Sequence, residues 1–94
     1  MLILSLTYIA PLDKADEQMD AHMAWLKKGY DGAFIASGRK VPRAGGVILA
    51  KGQRAAMEAL CASDPFVVHG IAIYDVTEVA FTTVVPGAEI LKAG

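Results

Sequence analysis

The stretch AFIASGRKVPRAGGVILA, residues 33–50, decides the fold. It opens on one short apolar run, Ala33–Gly38, and closes on another, Gly46–Ala50, and both read as strands. Between them Gly38, Pro42, Gly45 and Gly46 mark a loop, made basic by Arg39, Lys40 and Arg43. Two consecutive strands therefore occupy the middle of the chain, and the fold follows from what flanks them.

Upstream, Leu2–Ile9 alternates as a strand. Leu2, Leu4, Leu6 and Tyr8 form a uniformly apolar face, and Ile3, Ser5, Thr7 and Ile9 form a mixed one. Pro11 ends this run. The acidic segment Asp13–Glu17 suits the positive end of a helix dipole, and either aspartate in it is a candidate cap. Met19, His22, Met23, Leu26 and Tyr30 then recur at helical spacing, Lys27 and Lys28 fall in the last turn, and Gly29 is the expected terminator. The spacing predicts a helix over Asp16–Lys28, with His22 on its apolar stripe and Trp25 one turn further along.

Downstream, Gln53–Ala62 reads as a second helix, with Met57, Leu60 and Cys61 on one side and Arg54 and Glu58 on the other. Ser63-Asp64-Pro65 ends it, because a residue before proline resists helical geometry. Phe66–His69 continues irregularly or as one turn. Ile71–Val84 reads as a long fourth strand and Pro86–Gly94 as a short tail.

The order β-α-β-β-α-β is that of the ferredoxin-like split βαβ unit. The expected architecture is one α+β domain over residues 1–94, with a four-stranded antiparallel sheet and two helices on one face. At 94 residues there is no room for a second domain, a (β/α)₈ barrel or a large doubly wound sheet. The chain is 54% hydrophobic, above the usual value of about 45–50%. Two helices cover one sheet face only, so a second subunit is the simplest cover for the other. The expectation is a homodimer formed through the sheet.

Bulk properties exclude several function classes. Nine Lys and Arg stand against ten Asp and Glu, for a net charge of −1, so the basic footprint of a nucleic-acid binder is missing. No apolar run approaches the roughly 18 residues of a membrane-spanning helix. The apolar N-terminus lacks both the basic region and the cleavage site of a signal peptide. The single cysteine, Cys61, allows no internal disulfide and reads as a buried structural thiol. These features lead to the expectation of a soluble cytoplasmic protein.

Few side chains can carry chemistry. The histidines are His22 and His69, and the most suggestive acid is Asp64, at an ordered turn before Pro65. A helix-borne histidine beside a carboxylate makes a general base, because the carboxylate fixes the tautomer and stabilises the imidazolium. The plainer readings are a partly buried core histidine for His22, a turn or cap former for Asp64, and a loop residue for His69. His22, His69 and Asp64 lack the close pairing of a zinc motif. There is no phosphate-binding loop, dinucleotide fingerprint or nucleophile elbow, and Gly45-Gly46 is too short to cradle a phosphate. No cofactor and no metal are expected. Arg39 and Arg43 are either solvated loop charges or binders of an anionic substrate.

The segment Asp64-Pro65-Phe66, followed by Gly70 and a β-rich run, resembles the YCII (YciI-like) family. So does His22 followed by Trp25-Leu26 and, after Gly32, by Ile35-Ala36-Ser37-Gly38. The likeness runs from the first strand through about Phe81. It implies a ferredoxin-like domain of the dimeric α/β-barrel group, with a His–Asp pair in a cleft. The family histidine matches His22, the aspartate of the Asp-Pro-Phe segment matches Asp64, and Ser37 and Gly38 match the turn after the second strand. Family members often carry a proline soon after that glycine, and a basic residue shortly before the histidine. Here Arg39 and Lys40 follow Gly38, and Asp20 and Ala21 precede His22.

Two functions fit these observations. The first is a small enzyme of lyase, dehydrohalogenase or isomerase type. His22, oriented by Asp64, would move a proton on a small organic substrate that Ser37, Arg39 and Tyr8 position. The second is a non-catalytic binding or interaction module using the same dimeric cleft. A cofactor-free monooxygenase or muconolactone-isomerase-like activity rests on fold analogy alone.

Overall fold

The computed structural model describes residues 1–92; Ala93 and Gly94, the end of the expected tail, lie outside the described residues. The first strand, β1 (Leu2–Tyr8), is the structural axis. It pairs antiparallel with β3 (Gly45–Ala50) on one side and β4 (Ala72–Glu78) on the other, and β2 (Phe34–Arg39) adds antiparallel to β3. The sheet order is β2-β3-β1-β4, the expected split βαβ arrangement.

The alternation of β1 explains its central place. Leu2, Leu4 and Leu6 are almost wholly buried on the helix-covered face. Register sets Leu4 between Ile48 and Val76, and Leu6 between Gly46 and Tyr74. Each such leucine contributes about 1.5–3 kcal/mol of burial. The opposite face carries Ile3, Val47, Leu49 and Ile73 interleaved with Ser5, Thr7, Asp75 and Thr77. Apolar side chains are also exposed away from this face, at Val41, Val68, Val85 and Ile90. The compositional surplus is thus spread over more than one surface.

The first helical region differs from expectation. It starts at Leu12 rather than Asp16 and divides into α1 (Leu12–Glu17) and α2 (Met19–Gly29) at Gln18, where φ is −105° and ψ is 7°. No aspartate caps it. Pro11 holds the cap position, and its carbonyl accepts from the Lys14 and Ala15 amides. Asp16 turns instead to Arg43 in the β2–β3 loop, 2.6 Å away. The break lets two short helices seat separately. Ala15 of α1 packs with Leu6, Phe66, Ile71 and Ala72, while α2 buries His22 and Gly29. Gly29 is the last helical residue, yet its backbone is not left-handed. A Cβ there would lie 2.1 Å from the Phe34 ring, so close packing explains the glycine.

The second helical region is α3 (Arg54–Ala62), which buries Met57 and Cys61, followed by α4 (Pro65–Val68), a single turn that buries Phe66. The last strand is shorter than Ile71–Val84. β4 stops at Glu78 because its partner β1 begins at Leu2, directly opposite. The Val79 amide still reaches the Met1 carbonyl, and beyond it Phe81 makes only an isolated bridge to Lys92. A 3₁₀ turn, Glu89–Leu91, leads into Lys92, the last described residue. No helix among the described residues is long and apolar enough to cross a membrane.

Candidate functional site

The site is organised by the cap of α4. Pro65 disfavours helical geometry at the residue before it, and an N-cap needs a non-helical backbone. Asp64 meets both conditions at φ −60° and ψ 128°, and its side chain accepts from the Phe66 amide at 2.9 Å. This turns the carboxylate inward, where its exposure is 0%. Such burial is costly unless donors compensate it. Two further donors do so. His22 Nδ1 lies 2.9 Å from Oδ1 and 3.0 Å from Oδ2, and the Tyr74 hydroxyl donates to Oδ2 at 2.6 Å.

A carboxylate only accepts, so Nδ1 carries the proton of the neutral imidazole and Nε2 carries the lone pair. Nε2 has no hydrogen-bond partner among the described residues. The His22 ring stacks on Phe66, with centroids 4.1 Å apart and planes 8° apart, and Trp25 lies further off at 5.8 Å. Trp25 is anchored in turn. Its indole N–H donates to Ser63 Oγ, which donates to the Leu60 carbonyl. Tyrosine, helix cap and two aromatic rings therefore fix the imidazole.

Two neighbours are held protonated. Burial, then the hydrogen bond to Asp64, pushes the Tyr74 phenol well above its ordinary range, so it remains a donor. Burial, then the charges of Asp64 and Glu58, pushes the Cys61 thiol up to about 11. Cys61 is therefore a poor nucleophile at neutral pH.

His22 faces a cleft of about 440 Å³. A closed cavity of about 150 Å³ admits benzene, so this space is large enough for a substituted ring. Leu6, Met19, Met23, Leu26 and Ile48 supply its apolar lining; Tyr8, Ser37, Arg39, Arg43 and Tyr74 supply its polar groups. The structure thus brings Tyr8, Ser37 and Arg39 to the same cleft as His22, with Asp64 directly behind the imidazole. The Ser37 hydroxyl is hydrogen-bonded to the Tyr30 hydroxyl at 2.5 Å. His69 is the exposed residue that ends α4 and does not line the cleft. No group of three metal-ligating side chains forms among the described residues.

Sequence reasoning missed Tyr74, whose place in an alternating strand marks it only as an apolar residue. It also missed what Gly45 and Gly46 do. Gly45 has a φ of +149°, and a Cβ there would sit 1.8 Å from the Leu6 carbonyl oxygen. Gly46 pairs with Leu6 on the helix-covered face, and its missing side chain leaves the cleft open. Gly45 is thus required by the close approach of the β1 backbone, and Gly46 by the space of the cleft; neither forms a phosphate cradle.

Comparison with known proteins places this geometry in context. The sequence model of the YCII-related domain matches residues 1–80. No curated protein matches the chain. Among solved structures, the chain is similar to 5-chloro-2-hydroxyhydroquinone dehydrochlorinase from Burkholderia phenoliruptrix, determined in complex with 2,5-dihydroxybenzoquinone. The TM-score is 0.73 at 17% sequence identity, over 87% of this chain and 96% of that one. At this identity the likeness is one of fold.

Proposed function

The chain belongs to the YCII-related domain family, and we propose that it is a cofactor-independent acid–base enzyme acting on a small cyclic organic substrate. The observation that carries this reading is the His22 ring itself: Nδ1 is tied to a buried carboxylate, while the ring borders an open cleft and Nε2 has no hydrogen-bond partner among the described residues. That is the arrangement of an oriented general base.

In the proposed reaction, Nε2 removes a proton from an acidic O–H or C–H of the bound substrate. Asp64 stabilises the imidazolium across the ring, as a carboxylate behind a catalytic histidine does. The electron pair left on the substrate has two outlets. It expels a leaving group such as halide, so that proton and leaving group depart as an acid, or it is reprotonated at another carbon by the same nitrogen. The first outcome is a lyase or dehydrohalogenase step and the second an isomerisation. Tyr8, Ser37 and Arg39 orient the polar groups of the substrate. The dehydrochlorinase of similar fold supports the first outcome by analogy, and its ring-sized ligand is compatible with the cleft volume.

The proposed working unit is a homodimer, with the uncovered sheet face buried between twin subunits, in the reducing cytoplasm that suits a single free thiol. Light scattering at micromolar concentration checks the dimer; a stable monomer there refutes it.

The test of the chemistry is turnover of chlorinated hydroxyhydroquinones, followed by halide release, in the wild type, His22→Gln and Asp64→Asn. Loss of about 10²–10⁴-fold in the His22 variant, with the circular dichroism of the fold retained, is the expected result. Turnover indifferent to His22 overturns the base assignment. Ligands that raise the melting temperature without turnover would make the cleft a binding module.

A further inference from the structure

The polar groups of the cleft carry a charge bias that the proton-transfer step itself does not explain. Its lining residues include two guanidinium groups, Arg39 and Arg43, and no aspartate or glutamate. Asp64 is sealed behind the imidazole, and Asp16 is already committed to Arg43 at 2.6 Å. Arg43 also stands 5.9 Å over the Tyr8 ring, which fixes its direction. Arg39 differs. Register pairs it with Gly46, on the helix-covered face of the sheet, and it has no hydrogen-bond or ion-pair partner among the described residues. Its neighbour Lys40 is occupied by the Thr7 hydroxyl. Of the two cations at the cleft, one is thus uncommitted and the other is half neutralised.

We propose that the cleft selects singly anionic ligands with an apolar body about one ring in size, and that Arg39 is the residue that reads the charge. The ligand class is a ring-borne carboxylate or an equally compact oxyanion. Its ring lies against Leu6, Met19 and Leu26, and its anionic end forms charge-assisted bonds to the Arg39 fork. Arg43 adds attraction, and Asp16 opposes it. This proposal rests on the cleft being the substrate site, and it names the substrate class that site takes.

The experiment compares benzoate with benzamide, its neutral isostere, by titrating the fluorescence of Trp25, the only tryptophan, which stands 5.8 Å from the His22 ring. The wild type is expected to bind benzoate about tenfold more tightly or better than benzamide, with a preference that weakens as salt rises. Arg39→Gln is expected to remove most of that preference, leaving only the small share from the half-neutralised Arg43. Asp16→Asn is expected to raise benzoate affinity several-fold, a gain that a merely structural ion pair would not give. Equal binding of the two probes, no benzoate binding up to millimolar concentration, or a preference intact in Arg39→Gln overturns the proposal. His22→Gln separates the two readings. If it keeps the benzoate preference while no substrate is turned over by any variant, the acid–base reading fails and the charge selection stands. If turnover depends on His22 while benzoate has no preference, the reverse holds.

Discussion

Tyr74 donates a 2.6 Å hydrogen bond to Asp64 Oδ2, the same oxygen that His22 Nδ1 approaches at 3.0 Å. The phenol comes from β4 and the imidazole from α2, so one buried carboxylate couples the sheet to the helical layer. Tyr74 also lines the cleft, so a change at this residue is felt by the base from behind and by the ligand from in front.

Tyr74→Phe keeps the ring and removes one donor from a carboxylate with no access to water. Stability is expected to fall by about 1–3 kcal/mol, the cost of leaving a buried acceptor short of a partner. In a domain of this size that is a drop of roughly 4–8 °C in melting temperature per kcal/mol, readable by calorimetry. An unchanged melting temperature would show that the bond contributes nothing net.

Asp64→Asn separates charge from shape. Asparagine caps a helix about as well as aspartate, so the α4 cap and the fold are expected to survive. The amide, however, donates as well as accepts, so it no longer enforces a proton on Nδ1. Imidazole nitrogen NMR is expected to show Nδ1–H dominant in the neutral wild type and a mixture of tautomers in the variant. Identical nitrogen shifts in the two proteins would contradict the coupling.

His22 and Asp64 were legible for different reasons. His22 sits on an apolar helical stripe where a polar ring needs an explanation, and Asp64 precedes a proline at a helix end, where its cap role is local chemistry. Their meeting is a tertiary fact, 42 residues apart in sequence; the fold only permits it, no spacing encodes it, and the family likeness points to it. Tyr74 gave no signal, because in an alternating strand a tyrosine reads as packing. The end of β4 was invisible for a related reason. Its apolar pattern continues to Val84, but a strand stops where its partner stops, and β1 starts at Leu2. The break at Gln18 likewise answers to what Ala15 and His22 must pack against, which no helix periodicity encodes.

Gly29→Ala should be far worse than helix propensity implies. Alanine is the better helix former by about 1 kcal/mol, and the backbone here is ordinary helix. The added methyl would meet the Phe34 ring at 2.1 Å, and that ring is buried and packed edge-on against Trp25 and Tyr30. Overpacking of this kind costs about 1–3 kcal/mol, so a net loss is expected. Urea denaturation reads it directly, and a gain in stability would mean that Phe34 yields freely.

Alkaline pH should loosen the fold through two buried acids. The Cys61 thiol is raised from an ordinary value of 9.0 to about 11, and the Tyr74 phenol is raised from 10.0. A group whose folded-state pKa lies above its unfolded value binds its proton more tightly when folded. Its stabilising contribution is complete below the unfolded value and is lost as pH rises through the folded one. Both groups carry the same sign, so their losses add. The urea midpoint is expected to show no decline from this pair between about pH 7 and 8, then to drop from about pH 9 upward, with Cys61 responsible for the first part of the drop. Cys61→Ala should delay that onset, and the wild-type thiol should react slowly with disulfide reagents near neutrality. A fast thiol at pH 7 would place Cys61 outside the buried setting in which Met57 and Leu2 enclose it.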